Sequence, residues 1–212
     1  MADTLADLKS LIADDLARTD LTSQIATEIA NAIRLHQAER FYFNEDRSLS
    51  FNTVSSQEFY TSTDNASIPN LYEIDSIRMT VNGTRYQIDQ EVYSTIDQIS
   101  TLATSTGYPS IYARYGQQLR FYPIPNGTYA TVVSAHVILP TLGGDTSANA
   151  WTTMADGGNL IRYAAEERLY RTVIKARDDA ADAGYARDQE LLRLRDETGR
   201  RTSSGQVEPM SW

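Results

Sequence analysis

The sequence predicts an α+β protein: a helical bundle built from the two ends of the chain, an antiparallel β domain inserted between them, and an extended C-terminal arm. Three observations carry this reading. Apolar residues recur every three or four positions near both ends, the spacing of a helix face. Residues 47 to 140 are rich in Thr, Ser, Tyr, Val and Ile in short alternating runs, the pattern of strands with one buried face. After the last helical repeat comes a Gly/Arg/Ser/Thr stretch and then a short apolar end. The resulting boundaries are N-terminal helices over 1–44, an inserted β domain over 45–142, C-terminal helices over 150–198 and an arm over 199–212.

Each element follows from its own residues. Leu5, Leu8, Leu11, Ile12 and Leu16 share one helix face. Thr19 and Asp20 interrupt that pattern and are expected to supply capping oxygens to the next helix. There Leu21, Ile25, Ile29 and Ile33 step by four beside Ala26, Ala30 and Ala32, a stripe suited to close packing. The character changes at Phe41-Tyr42-Phe43-Asn44. Residues 77–81 and 84–88 flank Asn82-Gly83, a dipeptide that tolerates positive φ at both positions and so favours a tight hairpin turn. A second hairpin is expected to join 111–115 to 119–122 through Gly116-Gln117. Pro123 and Pro125 stop it, since proline has no N–H for the ladder.

Residues 129–139 read as a longer strand, and 91–102 as a short helix. Leu142 to Asn149 is a linker of Gly, Ser, Thr, Asn and Asp. Beyond it Leu160, Ile161, Ala164, Ala165, Leu169, Val173, Ala176 and Ala180 mark a long amphipathic helix, which breaks at Gly184 and resumes over 186–197. Neither helical segment buries its stripe alone, so the two are expected to pack together.

Composition narrows the function. With 212 residues, 41% apolar and 22% charged, the chain has the make-up of a folded soluble protein. Cysteine is absent, which removes disulfides, thiol nucleophiles and Cys-based metal sites. His36 and His136 are the only histidines, so a zinc site built on imidazole is not expected, and no cofactor is predicted. No run approaches the ~18 apolar residues of a membrane span, and the start is acidic where a signal peptide needs basic residues. The net charge of -9 opposes coating of nucleic acid, which needs Lys and Arg for phosphate. Acid is concentrated early: the first 161 residues carry nine basic against eighteen acidic residues, whereas 162–201 carry ten against nine.

Catalytic signatures are sparse. The sequence contains neither a Gly-x-Ser-x-Gly elbow nor a phosphate-binding loop. His136 sits in an apolar strand run and reads as a core or sheet-face residue, and His36 as a helix-face residue. One enzyme reading has a physical basis. Glu39 precedes Phe41, Tyr42 and Phe43, with Glu45 and Asp46 close behind. A carboxyl held against aromatic rings has a raised pKa and can act as a general acid, and glycoside hydrolysis needs such an acid with a second carboxylate. Exposed helix-end charges beside core aromatics would account for the same residues.

Tyrosine is more informative. Ten of the thirteen fall between Tyr42 and Tyr129, more than a small β domain buries, so some are expected to meet a partner. At the C-terminus a polar spacer leads to Val207, Pro209, Met210 and Trp212. Apolar groups beyond such a spacer suit binding by folding onto a partner, with Trp as the anchor. Folding back onto the chain's own helices is the rival reading.

The order of elements, with Gly107-Tyr108-Pro109-Ser110-Ile111-Tyr112, Leu119-Arg120-Phe121-Tyr122-Pro123-Ile124-Pro125 and Tyr163-Ala164-Ala165-Glu166-Glu167-Arg168-Leu169-Tyr170, resembles the portal adaptor proteins of tailed bacteriophages, also called head-to-tail connectors or tail accessory factors. The resemblance covers most of the chain. It implies a non-enzymatic virion protein of the neck and tail region, made in the host cytoplasm. Such subunits, usually twelve, form a ring beneath the portal that connects head to tail and continues the channel for genome ejection. The implied partners are the portal protein, neighbouring copies and a distal tail or nozzle protein, with DNA passing through without sequence-specific binding and no membrane contact. In such a ring the acidic surface would keep DNA from sticking; a merely soluble acidic surface is the plainer account. The family's portal-binding arm falls on Gly199 to Trp212, with Arg200, Arg201, Val207, Pro209, Met210 and Trp212 as contacts. The alternatives are another neck or tail-completion subunit or, less favoured, a peptidoglycan hydrolase, an activity attributed to one branch of the wider family.

Overall fold

In the computed structural model, which describes residues 3–202, the chain divides after Asn44 and again after Ile138. In order it runs α1 (Leu5–Asp15), α2 (Thr22–His36), a 3₁₀ turn at Tyr42–Asn44, β1 (Glu45–Asn52), β2 (Phe59–Tyr60) and a 3₁₀ turn at Ile68–Asn70. Then come β3 (Leu71–Val81), β4 (Thr84–Gln90), α3 (Tyr93–Leu102), β5 (Thr106–Gly107), β6 (Ile111–Tyr115), β7 (Gln118–Tyr122), β8 (Ile124–Pro125) and β9 (Ala130–Val137). The chain ends in α4 (Gly158–Leu169), a π-helical turn at Tyr170–Ile174 and α5 (Arg177–Thr202).

One unit comprises residues 3–44 and 139–202. Its α4 packs against α1, α2 and α5, burying Leu8, Ile12, Ile25, Ile29, Leu160, Ile161, Ala165 and Leu169. Helix α1 starts with a reciprocal cap: Thr4 Oγ1 accepts from the Asp7 N–H at 3.2 Å, and the Asp7 carboxylate accepts from the Thr4 N–H at 2.9 Å. Its Leu5 and Ala6 N–H groups donate to the carbonyls of Ser147 and Asp145 at 2.9 and 3.0 Å. The segment expected to be a loose linker thus satisfies first-turn donors that have no partner within the helix. Leu139 and Leu142 pack against this same core, so the chain leaves the β unit at Ile138 and not at 142.

Two expectations for the helices need correction. Thr19 and Asp20 do not cap α2, whose N-cap is Leu21 and which has no side-chain cap. Asp20 instead makes a two-pronged pair with Arg18, both contacts 2.7 Å, while burial of Leu21 sets the start of the helix. Nor does Gly184 break a helix. The break falls at Lys175, in the left-handed region with φ 64°, after the crowded β-branched run Thr172-Val173-Ile174, and α5 passes through Gly184 unbroken. A helical glycine costs only about 1 kcal/mol against alanine. Here the Glu167 side chain lies beside it, 3.4 Å from where a Cβ would sit. Buried Glu167 pairs with Arg171 of the π turn at 2.6 Å and with Arg187 of α5, holding the two sides of the break together.

The other unit is Glu45–Ile138. Among the described residues, seven strands form one sheet in the order β1-β9-β3-β4-β6-β7-β2, antiparallel except where β4 meets β6. A small parallel pair, β5 with β8, adjoins it in sequence. The β3–β4 hairpin pairs Val81 with Thr84 and Ile77 with Ile88, and its turn holds Asn82 at φ 50° and Gly83 at φ 81°. The β6–β7 hairpin turns at Gly116, φ 60°, with Tyr115 opposite Gln118. Phe51, Tyr60, Leu71, Ile77, Leu119, Phe121 and Val133 fill the sheet core.

Helix α3 covers β6 and β7 through Ile96, which packs with Ala113 and Tyr122. It is fastened by Arg120, 5% exposed, which donates to Glu58 at 2.6 Å, Asp97 at 3.1 Å and Ser100 Oγ at 2.7 Å.

Candidate interaction site at the end of α5

The arm expected from Gly199 begins inside a helix. Helix α5 continues through Gly199, Arg200 and Arg201 to Thr202, so the boundary at 198 moves and both arginines lie in the last turn. Arg200 pairs with Asp196 and Arg201 with Glu197, each four residues back. Such exposed pairs give about 0.3–0.5 kcal/mol each, enough to offset much of the cost of Gly199. Val207, Pro209, Met210 and Trp212 lie outside the described residues.

The end of α5 is rooted by the 3₁₀ turn at Tyr42–Asn44. The Arg201 guanidinium carbon sits 3.8 Å from the centre of the Tyr42 ring, a cation–π stack. The Tyr42 N–H donates to Thr198 Oγ1 at 3.1 Å, and that hydroxyl donates to the Leu194 carbonyl at 2.7 Å. The Tyr42 hydroxyl donates to Asp156 Oδ1 at 2.6 Å. Burial, then the hydrogen bond to Asp156 and the charges of Asp156 and Glu197, push the phenol up to about 12 against the pull of Arg201, so it stays a neutral donor. Arg193 reaches from α5 to the Asp156 carbonyl at 3.2 Å, and Arg195 pairs with Glu39.

An aromatic cluster supports this turn. Trp151, 1% exposed, meets Phe41 and Phe43 edge-on at centroid distances of 5.9 and 5.0 Å, and Phe41 stacks on Phe43 at 5.3 Å. Buried Asn44 closes the turn, accepting from the Phe41 N–H at 2.8 Å and donating to the Glu39 carbonyl at 2.9 Å. Gly157 and Gly158 admit the loop: a Cβ on the first would lie 2.6 Å from the Trp151 ring, and one on the second 2.8 Å from the Thr153 backbone.

The carboxylates of the hydrolase reading have other partners. Glu39 pairs with Arg195 of α5. Glu45 pairs with Arg47 at 2.9 Å, and Asp46 accepts from the Ser48 N–H at 2.8 Å. His136 is buried in β9 against the Tyr72 ring at 5.0 Å, and His36 is buried at the end of α2. Among the described residues, no group of three or more His, Cys, Asp or Glu is placed to hold a metal ion, and no helix is long and apolar enough to cross a membrane.

The tyrosines separate by role. Tyr60, Tyr112 and Tyr122 are buried, whereas Tyr72, Tyr86, Tyr108 and Tyr115 are exposed, as are Val92 and Leu102 flanking and ending α3. Sequence reasoning missed Trp151, Asp156 and Thr198 as parts of the root.

The end of α5 is thus held to a turn 156 positions away in the chain and presents two exposed arginines. Residues 3–210 match the family described as SU10 adaptor protein. The chain belongs to that family, a family of structural phage adaptors. No curated protein matches it.

Proposed function

We propose that this chain is the head-to-tail adaptor of a tailed phage virion, assembling as a ring, twelve copies by family resemblance, beneath the portal and continuing the DNA channel. The residues beyond α5 bind the portal, with Val207, Pro209, Met210 and Trp212 as apolar contacts and Arg200 and Arg201 at the base. The observation that carries this reading is the rooting of α5 by Tyr42, Thr198 and Asp156, which fixes where the following segment departs. Arg200 and Arg201 keep 79% and 56% of their side chains exposed, so both retain surface for a partner. Exposed tyrosines on the β unit supply contact area for neighbouring copies or the distal tail protein. Its nine acids against five arginines and no lysine disfavour adhesion to passing DNA.

Mixing the purified chain with the portal protein of its phage and imaging the product by electron microscopy tests this. A closed collar on one end of the portal is expected; monomers beside bare portals would refute it.

A further inference from the structure

The C-terminal end of α1 meets α4 through two carboxyl groups and one guanidinium. Arg162 Nε donates to Asp15 Oδ2 at 2.7 Å and to Glu166 Oε1 at 3.0 Å, and a second Arg162 nitrogen lies 2.5 Å from the same Asp15 oxygen. Glu166 is 5% exposed, and its Oε1 and Asp15 Oδ2 both lie within hydrogen-bonding distance of the same Arg162 Nε. Two other groups face the cluster: the Tyr170 hydroxyl, donating to the Asp15 carbonyl at 3.1 Å, and Asp179 of α5, whose charge reaches Tyr170. Two carboxyl oxygens share one N–H. A single guanidinium charge cannot neutralise two carboxylates, and one proton shared by Glu166 and Asp15 would supply both the missing donor and the missing charge.

We propose that Glu166, Asp15 and Arg162 form a proton-held latch that fastens the end of α1 to α4 and loosens as the proton is lost. Burial first, and then the hydrogen bond and charge of Asp15, push the Glu166 carboxyl up to about 8, against the pull of Arg162. In the open chain the same carboxyl has its ordinary value of 4.5. The closed state therefore binds the proton more tightly. The latch is at full strength below about pH 4.5, weakens through the window between, and is spent above about pH 8. Within that window, opening is favoured by up to about tenfold for each unit of pH. The first turn of α1 is tied separately, by the Ser147 and Asp145 carbonyls and by Lys9 with Asp145 at 2.6 Å. Opening is thus confined to the far end, where Ile12 and Leu16 cover the core.

Amide hydrogen exchange on the full chain tests the latch, following peptides of α1 and α5 from pH 6 to 9 after correction for intrinsic rates. In the wild type, α1 protection is expected to fall about a hundredfold more than α5 protection. In Glu166→Gln, whose amide donates to Asp15 at every pH, the difference should shrink to about threefold or less. A variant that follows the wild-type profile would overturn the latch, as would wild-type α1 protection that does not respond to pH. Should the variant fail to fold, infrared spectroscopy of the wild type decides. A protonated-carboxyl band present at pH 6 and lost by pH 9 supports the latch; its absence at pH 6 overturns it.

Discussion

Replacing Gly157 by alanine should weaken the helical unit through one side chain. The Gly157 φ of -88° is open to any residue, so the effect is steric. The new Cβ would lie 2.6 Å from Trp151 Cε3, 3.1 Å from Cζ3 and 3.2 Å from the Ala150 carbonyl. The ring has no space to retreat, because it is 1% exposed and held edge-on by Phe41 and Phe43. Overpacking of this kind costs about 1–3 kcal/mol, and each displaced aromatic contact about 0.5–1.5 kcal/mol. A total of about 3 kcal/mol lowers the midpoint of thermal unfolding by about 6–12 °C in a chain of this size.

Near-ultraviolet circular dichroism during heating reads the packing of Trp151 directly. The control is Trp151→Leu, which removes the obstructing ring; in that background Gly157→Ala should cost under about 1 kcal/mol. If Gly157→Ala melts within about 1 °C of wild type, or costs the same in both backgrounds, the aromatic support of the Tyr42 turn is misassigned.

Two further predictions concern the other unit and pH. Arg120→Ala leaves Glu58 and Asp97 without their cation and should destabilise the β unit by about 3 kcal/mol, with Arg120→Lys recovering less than half, since an ammonium cannot span three acceptors in a fixed plane; denaturant unfolding of the variants checks both. His36 is 7% exposed, and its Nε2 finds no hydrogen-bond partner among the described residues. Burial lowers its pKa most, Arg187 and Arg195 lower it further, and Glu39 opposes them. Its folded value thus lies below its unfolded one, so its contribution is present above about pH 6.5 and lost as pH falls from there. His36→Asn should flatten the loss of stability between pH 7 and 5, read as the difference from wild type in urea midpoints; equal slopes would contradict it.

Much of the local structure was legible because its signals are local. Asn82-Gly83 names its own turn, Gly116 marks another, and the three- and four-residue spacing over 5–16 and 21–33 marks two helices. The break between α4 and α5 was misread because a glycine looks like a breaker, whereas the left-handed residue is Lys175, whose side chain gives no such warning. The arm's base was placed at Gly199 for the same reason. Besides its two i,i+4 ion pairs, that turn is supported by the Arg201 stack on Tyr42, between residues far apart in the chain. Trp151 went unnoticed because a lone aromatic in an aperiodic stretch carries no spacing signal. Its role depends on Phe41 and Phe43, which only the fold brings to it. Val207, Pro209, Met210 and Trp212 rest on composition and family resemblance.

Because α5 and its root extend to Thr202, removal of residues 203–212 separates grip from fold more cleanly than a cut at 198. The decisive measurement is the affinity for portal of the full chain against the chain ending at Thr202, with helix content and melting monitored in both. The account predicts an unchanged fold and at least a hundredfold loss of binding, about 2.7 kcal/mol. Undiminished binding by the shortened chain would contradict it.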